Sequence, residues 1–231
     1  MLARNRWLAA LATLLFVPTI PAALAAQEGG KCDAINDGSP FQLKGAQSYL
    51  VFIADPGKKG NETPKHMKSA IALLTSDVDK IKNEPGRNYL LLRLYNAWLG
   101  TGAPYTGKRA DLGYTTDLNG TENILMAIDT AATYLESNVP QCKTIFQGVR
   151  NKYFVENLNK SIATLKAGNM DSTKVYVKYA QMLSPNDPRT WNVMTSVYNN
   201  ENKADSALYT MNKVIALSGT DTLYKTVRQQ A

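Results

Sequence analysis

Apolar residues recur at three- and four-residue steps along most of the chain, which is the period of a helix with one buried face. Phe41, Leu43, Ala46, Tyr49, Leu50, Phe52 and Ile53 form the first such stretch, and Asp55-Pro56-Gly57 stops it. Lys58 to Thr63 is a polar loop, and Pro64 suits a helix start. Met67, Ala70, Ile71, Leu74, Val78 and Ile81 predict one helix up to a break at Glu84-Pro85-Gly86. Residues 87–100 are apolar nearly all round, so that helix should lie between neighbours. Residues 101–120 are rich in glycine and predict a loop too long for an ordinary interhelix turn. Helix resumes over 121–139, with Ile124, Leu125, Ile128, Ala131, Ala132 and Leu135 on one side, and Pro140 ends it. Phe146, Val149, Tyr153, Phe154, Leu158, Ile162 and Leu165 mark one long helix, or two joined, up to Lys166. Shorter helices follow from Asp171 or Ser172 to Leu183, near Arg189–Asn199 and near Ala204–Leu217, and a last one begins near Thr222. No strand alternation stands out, so the expected class is all-α, with antiparallel helix pairs stacked side by side.

The last helices repeat. Asp171, Ser172, Leu183, Ser184 and Asp187 recur as Asp205, Ser206, Leu217, Ser218 and Asp221, each 34 residues on and without a gap. Thirty-four residues is the length of one helix–turn–helix unit in tetratricopeptide (TPR) arrays, which stack into solenoids. Residues 188–219 carry the matching side chains: large at Trp191, Met194 and Tyr198, small at Thr195 and Ala207, apolar at Met211 and Val214. Gly219 stands where the family has proline, and in the preceding unit Ala180 and Pro185 fit while Asn157 and Lys160 do not. The chain thus resembles the TPR family over 154–221, and more loosely over 86–140, as a repeat split by 101–120. The order of features, namely an apolar leader, a tail bearing Cys32, a helix containing Gly86-Arg87-Asn88-Tyr89-Leu90-Leu91, a second cysteine at Cys142 and then the repeats, is similar to that of secreted bacterial TPR proteins. That resemblance implies a right-handed TPR-like α-solenoid that binds a protein or peptide. Such solenoids normally finish with a polar capping helix, so either 219–231 is a minimal cap or the natural protein is longer.

Composition sets the compartment and removes several chemistries. Arg4 and Arg6, the uncharged apolar run Trp7–Val17 and the small residues Ala23-Leu24-Ala25-Ala26 have the layout of a secretory signal peptide over 1–26. An uncleaved anchor helix is the alternative, though Pro18 and Pro21 suit it poorly. The expected layout is then an irregular Cys-bearing tail over 27–40, helical pairs over 41–140 and TPR-like repeats over 141–231, in an exported, periplasmic or extracellular protein. The formal charge of +7 falls to +5 without the two leader arginines and is dispersed, which points away from a nucleic-acid partner. The two cysteines, Cys32 and Cys142, suggest a disulfide in an exported chain. Free thiols or a redox pair remain open, although no C-x-x-C spacing supports the latter. Cys32 follows Gly29, Gly30 and Lys31, which do not form a lipid-attachment signal.

His66 is the only histidine, and no cluster around it in sequence offers a metal site or a nucleophile–base pair. No phosphate loop follows a strand, so neither a cofactor, a metal nor an enzymatic reaction is expected. Three N-x-S/T sequons, at Asn61, Asn119 and Asn159, are about the number an Asn- and Thr-rich chain carries by chance, and on the sequon alone they matter only in a eukaryotic secretory route. Asn159 falls in a helix expected to be buried.

Two groups of candidate binding residues remain. Tyr105, Arg109 and Tyr114, with Lys108, lie in the 101–120 loop, and aromatics and arginine are favoured at binding hot spots. The same tyrosines could instead pack the loop onto the helices. The resemblance places Arg189, Asn192, Ser196 and Asn199 where family members contact peptides, without the Lys, Asn and Arg set that chaperone-binding members use for two carboxylates. Simple solvation of that face is the alternative. The expected function is an adaptor or scaffold in the cell envelope. The alternatives are a structural subunit of a membrane-associated complex and a small-molecule or glycan-binding module.

Overall fold

The computed structural model describes Cys32, Ile35, residues 40–54 and residues 62–219, and these are mostly helical. The expected signal sequence, most of the tail, Asn61 and the helix expected from Thr222 lie outside the described residues. The described residues form two compact units, one up to Arg150 and one from Asn151. The division falls inside a single helix.

In the first unit, α1 (Phe41–Ala54) packs on α2 (Thr63–Thr75), and both touch α3 (Glu84–Gly100). The periodicity predicted that α2 would run to Ile81, but it stops six residues earlier. Ser76 still donates to the Ala72 carbonyl, then Asp77 takes a left-handed conformation at φ 46° and a 3-10 turn covers Val78–Lys80. Ile81 is buried all the same, although it lies beyond the end of the helix. Glu84-Pro85-Gly86, expected as a break, is the first turn of α3. The Asn83 side chain accepts from the Gly86 N–H at 3.0 Å, and proline in a first turn sacrifices no helical hydrogen bond.

The apolar run on α3 is buried as expected. Tyr89, Leu90, Leu91, Leu92, Leu94, Tyr95 and Leu99 face α1, α2 and α5 (Ile124–Asn138), which contributes Leu125, Ile128, Ala132 and Leu135. Phe146, at the start of α6 (Lys143–Lys166), is fully buried and meets Tyr89 edge-on at 6.2 Å between centroids. Burial of each such Leu, Ile or Phe side chain contributes about 1.5–3 kcal/mol. Arg150 binds three α5 side chains at once: Asp129 and Glu136 at 2.8 Å each, and the Thr133 hydroxyl at 2.8 Å. Cys32 and Cys142 are disulfide-bonded with 5.8 Å between Cα atoms, and the Asn83 amide donates to the Ile35 carbonyl beside them at 3.3 Å.

The 101–120 segment, expected as a loop, contains a short strand and a short helix within a mostly helical protein. β1 (Thr106–Lys108) pairs antiparallel with β2 (Thr121–Asn123), Thr106 facing Asn123, and the short helix α4 (Arg109–Leu112) leaves β1 directly. β2 occupies what was expected to be the first turn of α5, whose cap is Asn123 accepting from the Met126 N–H at 3.1 Å.

In the second unit, α6 continues from Asn151 and is followed by α7 (Met170–Leu183), α8 (Pro188–Asn200) and α9 (Ala204–Ser218). The 34-residue sequence period reappears in the backbone. At the end of α6, Asn169 N–H donates to Thr164 O at 2.9 Å and Gly168 N–H to Leu165 O at 3.0 Å. At the end of α8, Lys203 N–H donates to Tyr198 O at 2.9 Å and Asn202 N–H to Asn199 O at 3.2 Å. Gly168 and Asn202 hold left-handed φ values of 76° and 56°. This is the Schellman stop, and Asn is the non-glycine residue that tolerates the conformation best. Buried side chains recur at the same spacing: Ser161 and Thr195, Thr173 and Ala207, Ala180 and Val214. α8 lies against α9, where the Thr195 hydroxyl donates to Thr210 Oγ1 at 2.9 Å.

Ala207→Leu should overpack the α8–α9 contact and cost about 1–3 kcal/mol in chemical denaturation. Unchanged stability would count against this register.

Candidate functional site

The hairpin is the one place where the segment between α3 and α5 gathers charge. Arg109, the first residue of α4, places Nε 3.1 Å from Glu122 Oε2 on β2 and Nη1 3.0 Å from Asp117 Oδ2 in the turn. Its guanidinium also lies 5.1 Å from the Tyr114 ring centroid. The Tyr114 hydroxyl hydrogen-bonds that of Tyr95 on α3 at 2.5 Å. Leu112 is buried beneath the hairpin, and Gly113 at φ 98° brings the chain against α2. Tyr105 is half-buried and its carbonyl accepts from the Ile124 N–H at 2.8 Å, while Lys108 is exposed. Arg109 and Tyr114 therefore hold the segment together and to α3. Tyr95, Asp117 and Glu122 complete the cluster and carried no sequence signal, since their relation to Arg109 exists only once the hairpin closes.

Burial raises the pKa of Tyr95 well above the ordinary tyrosine value, and the Tyr114 charge adds to it. Burial likewise raises Tyr114, with Glu122 adding and the Tyr95 bond opposing. For Arg109, burial pulls the pKa down, but Glu122 and then Asp117 outweigh it and the net direction is up. At neutral pH the cluster is thus a charged guanidinium between two carboxylates, beside two neutral phenols. It can present hydrogen bonds and a ring face.

The second candidate group lies on α8. Arg189 is held by Asp187, with Nε at 2.9 Å from Oδ1 and Nη2 at 2.7 Å from Oδ2, and it stacks 5.0 Å from the Phe154 ring centroid. Asn192 and Ser196 are 7% exposed each, and the Ser196 hydroxyl donates to the Asn192 carbonyl at 3.2 Å. Asn199 is exposed. The four residues expected on one open polar face are thus divided between the interior and the surface of this unit.

His66 lies buried in α2 between the rings of Tyr49 and Phe52, at centroid distances of 5.5 and 5.3 Å, with Nε2 3.5 Å from Glu62. Among the described residues no three His, Cys, Asp or Glu side chains are grouped to hold a metal ion, and no helix is long and apolar enough to cross a membrane. No family model, curated protein or solved structure matches this chain.

Proposed function

We propose that this protein is an exported, TPR-like adaptor of the cell envelope whose helix pairs bind a protein or peptide. The observation that carries the reading is the recurrence, 34 residues apart, of the same helix stop at Gly168 and Asn202, with the same backbone bonds and the same buried positions around it. Two units built alike at the TPR spacing support a repeat architecture, and repeat stacks present extended binding surfaces. The apolar leader with its two arginines and the Cys32–Cys142 bond support export to an oxidising compartment. The hairpin and the α8 face are two separate candidate contacts.

The test is capture from an envelope extract with the mature chain, compared with Arg189→Ala/Asn199→Ala. Both positions spare the α8 residues that pack against α9, so helix content should be unchanged. A partner lost from that variant supports the α8 face as the peptide contact. A stoichiometric complex indifferent to it, but sensitive to Tyr105→Ala, would favour a structural subunit held through the hairpin. Indifference to both would remove the proposed sites. Tyr114 is unsuited to this experiment, since its hydroxyl already bonds Tyr95.

A further inference from the structure

The three sequons differ sharply in their settings. Asn159 lies in the middle of α6, and its partner hydroxyl is unusable: Ser161 is fully buried and donates to the Leu158 carbonyl at 2.7 Å. Asn61 lies outside the described residues and has Lys59 two positions before it. Asn119 is exposed at the hairpin turn, in Asp117-Leu118-Asn119-Gly120-Thr121, and its side chain bonds no other described residue.

The surroundings of Asn119 are built to present it. Asp117 turns the chain at φ 48°, and the Gly120 N–H closes the turn on the Asp117 carbonyl at 2.9 Å. The Leu118 and Gly120 carbonyls accept from the Ala110 and Arg109 N–H groups at 3.3 and 2.8 Å. The chain is pinned on both sides of Asn119, while the side chain projects free. Thr121 is exposed at the first position of β2, and Leu118 is 49% exposed beside it.

From this geometry we propose that Asn119 is an acceptor for an N-linked glycan, in a sequon that uses Asp117 as well as Thr121. The proposal rests on the export reading, because the donor is presented on the outer side of a membrane. A carboxamide nitrogen is a weak nucleophile, because its lone pair is delocalised into the carbonyl. A transferase must therefore grip the acceptor on both sides of the Asn and twist it, which a helix interior resists and an exposed turn permits. The hydroxyl two residues on is the universal grip. A carboxylate two residues before, as in the bacterial form of the sequon, supplies a second, charged one. Asp117 is the only acidic residue so placed among the three sequons. Its side chain is 63% exposed, and the Arg109 contact engages Oδ2. In the step, Asn119 Nδ2 bonds to the anomeric carbon of a polyprenyl-pyrophosphate-linked oligosaccharide. The bond from that carbon to the pyrophosphate oxygen breaks, polyprenyl pyrophosphate leaves with the electron pair, and Nδ2 gives one proton to a base of the transferase.

The test uses the purified, folded full chain with a bacterial oligosaccharyltransferase and its lipid-linked oligosaccharide, read by intact mass and peptide mapping. A short acceptor peptide in the same reaction confirms that the enzyme is active. The expected result is a gain of one oligosaccharide mapped to Asn119. The gain should be lost in Asn119→Gln and in Asp117→Asn, a change that suits the left-handed turn and removes only the charge, and kept in Asn159→Gln. No gain on the folded chain, a gain mapped to another asparagine, or full modification of Asp117→Asn would overturn it. Export is read separately, by fractionating cells that produce the full chain, so failure of that reading leaves a different signature.

Discussion

Cys142→Ser is expected to destabilise the protein by about 2–5 kcal/mol, the range for removing a native disulfide from an exported domain. The bond spans 110 residues, and the chain-entropy estimate for a loop near 100 residues is about 4.7 kcal/mol. In the folded unit both cysteines are buried, and the Asn83 amide donates to the carbonyl of Ile35, which is buried as well. Without the bond Cys32 and Ile35 should lose their buried places first, while the α3–α5 core persists at lower stability. Each kcal/mol corresponds to about 2–4 °C of melting temperature for a chain of this size. Thermal unfolding of the variant beside the parent measures the loss, and thiol labelling under non-reducing denaturation checks its premise. Two labelled cysteines per parent chain would refute it.

What the sequence revealed and concealed follows from how local each signal is. The period of α3, α5 and α6 is written in side chains three and four residues apart, and all three are helices. The 34-residue repeat was visible as identities such as Asp171 with Asp205. The structure adds that Asn202 does the work of Gly168 at the same offset, an equivalence of backbone conformation that composition does not announce. α2 ended early because Val78 and Ile81 kept the helical spacing while Asp77 reversed the chain, so the pattern persisted through a turn. Glu84-Pro85-Gly86 misled in the opposite sense. Proline and glycine suggest a break, but after Asn83 they form a capped first turn. The hairpin was invisible because its strands, Thr106–Lys108 and Thr121–Asn123, have three polar or glycine residues each and no alternation to detect. Its cluster was half legible. Arg109 and Tyr114 stood out as residue types, but Glu122 was assigned to a helix and Tyr95 to the core. Their convergence depends on a closure that no local pattern encodes.

The anchoring of that hairpin can be tested at a single atom. A Cβ added at Gly113 would lie 2.3 Å from the Lys68 carbonyl oxygen and 2.6 Å from its Cα, both backbone atoms of α2 that cannot swing aside. Gly113 also holds φ 98°, where a side chain is strained whatever the space. Gly113→Ala should therefore suffer twice: about 1–3 kcal/mol for the backbone conformation and about 1–3 kcal/mol for the overlap. Relief requires the α4 turn to lift from α2, which would take Leu112 out of its buried site and loosen the Tyr114–Tyr95 bond. Gly107→Ala is the internal control. It sits on β1 of the same hairpin without a positive φ, and the atoms nearest its added Cβ would be those of the Leu112 side chain, at an ordinary contact distance of 3.5 Å. Hydrogen exchange should show lost protection at the Arg109, Ala110, Gly113 and Tyr114 amides in Gly113→Ala and near-parent protection in Gly107→Ala. Equal protection in both would mean that the hairpin is not seated on α2 through Gly113. Its side chains would then be free to reorganise around a partner, as a loop of this composition first suggests.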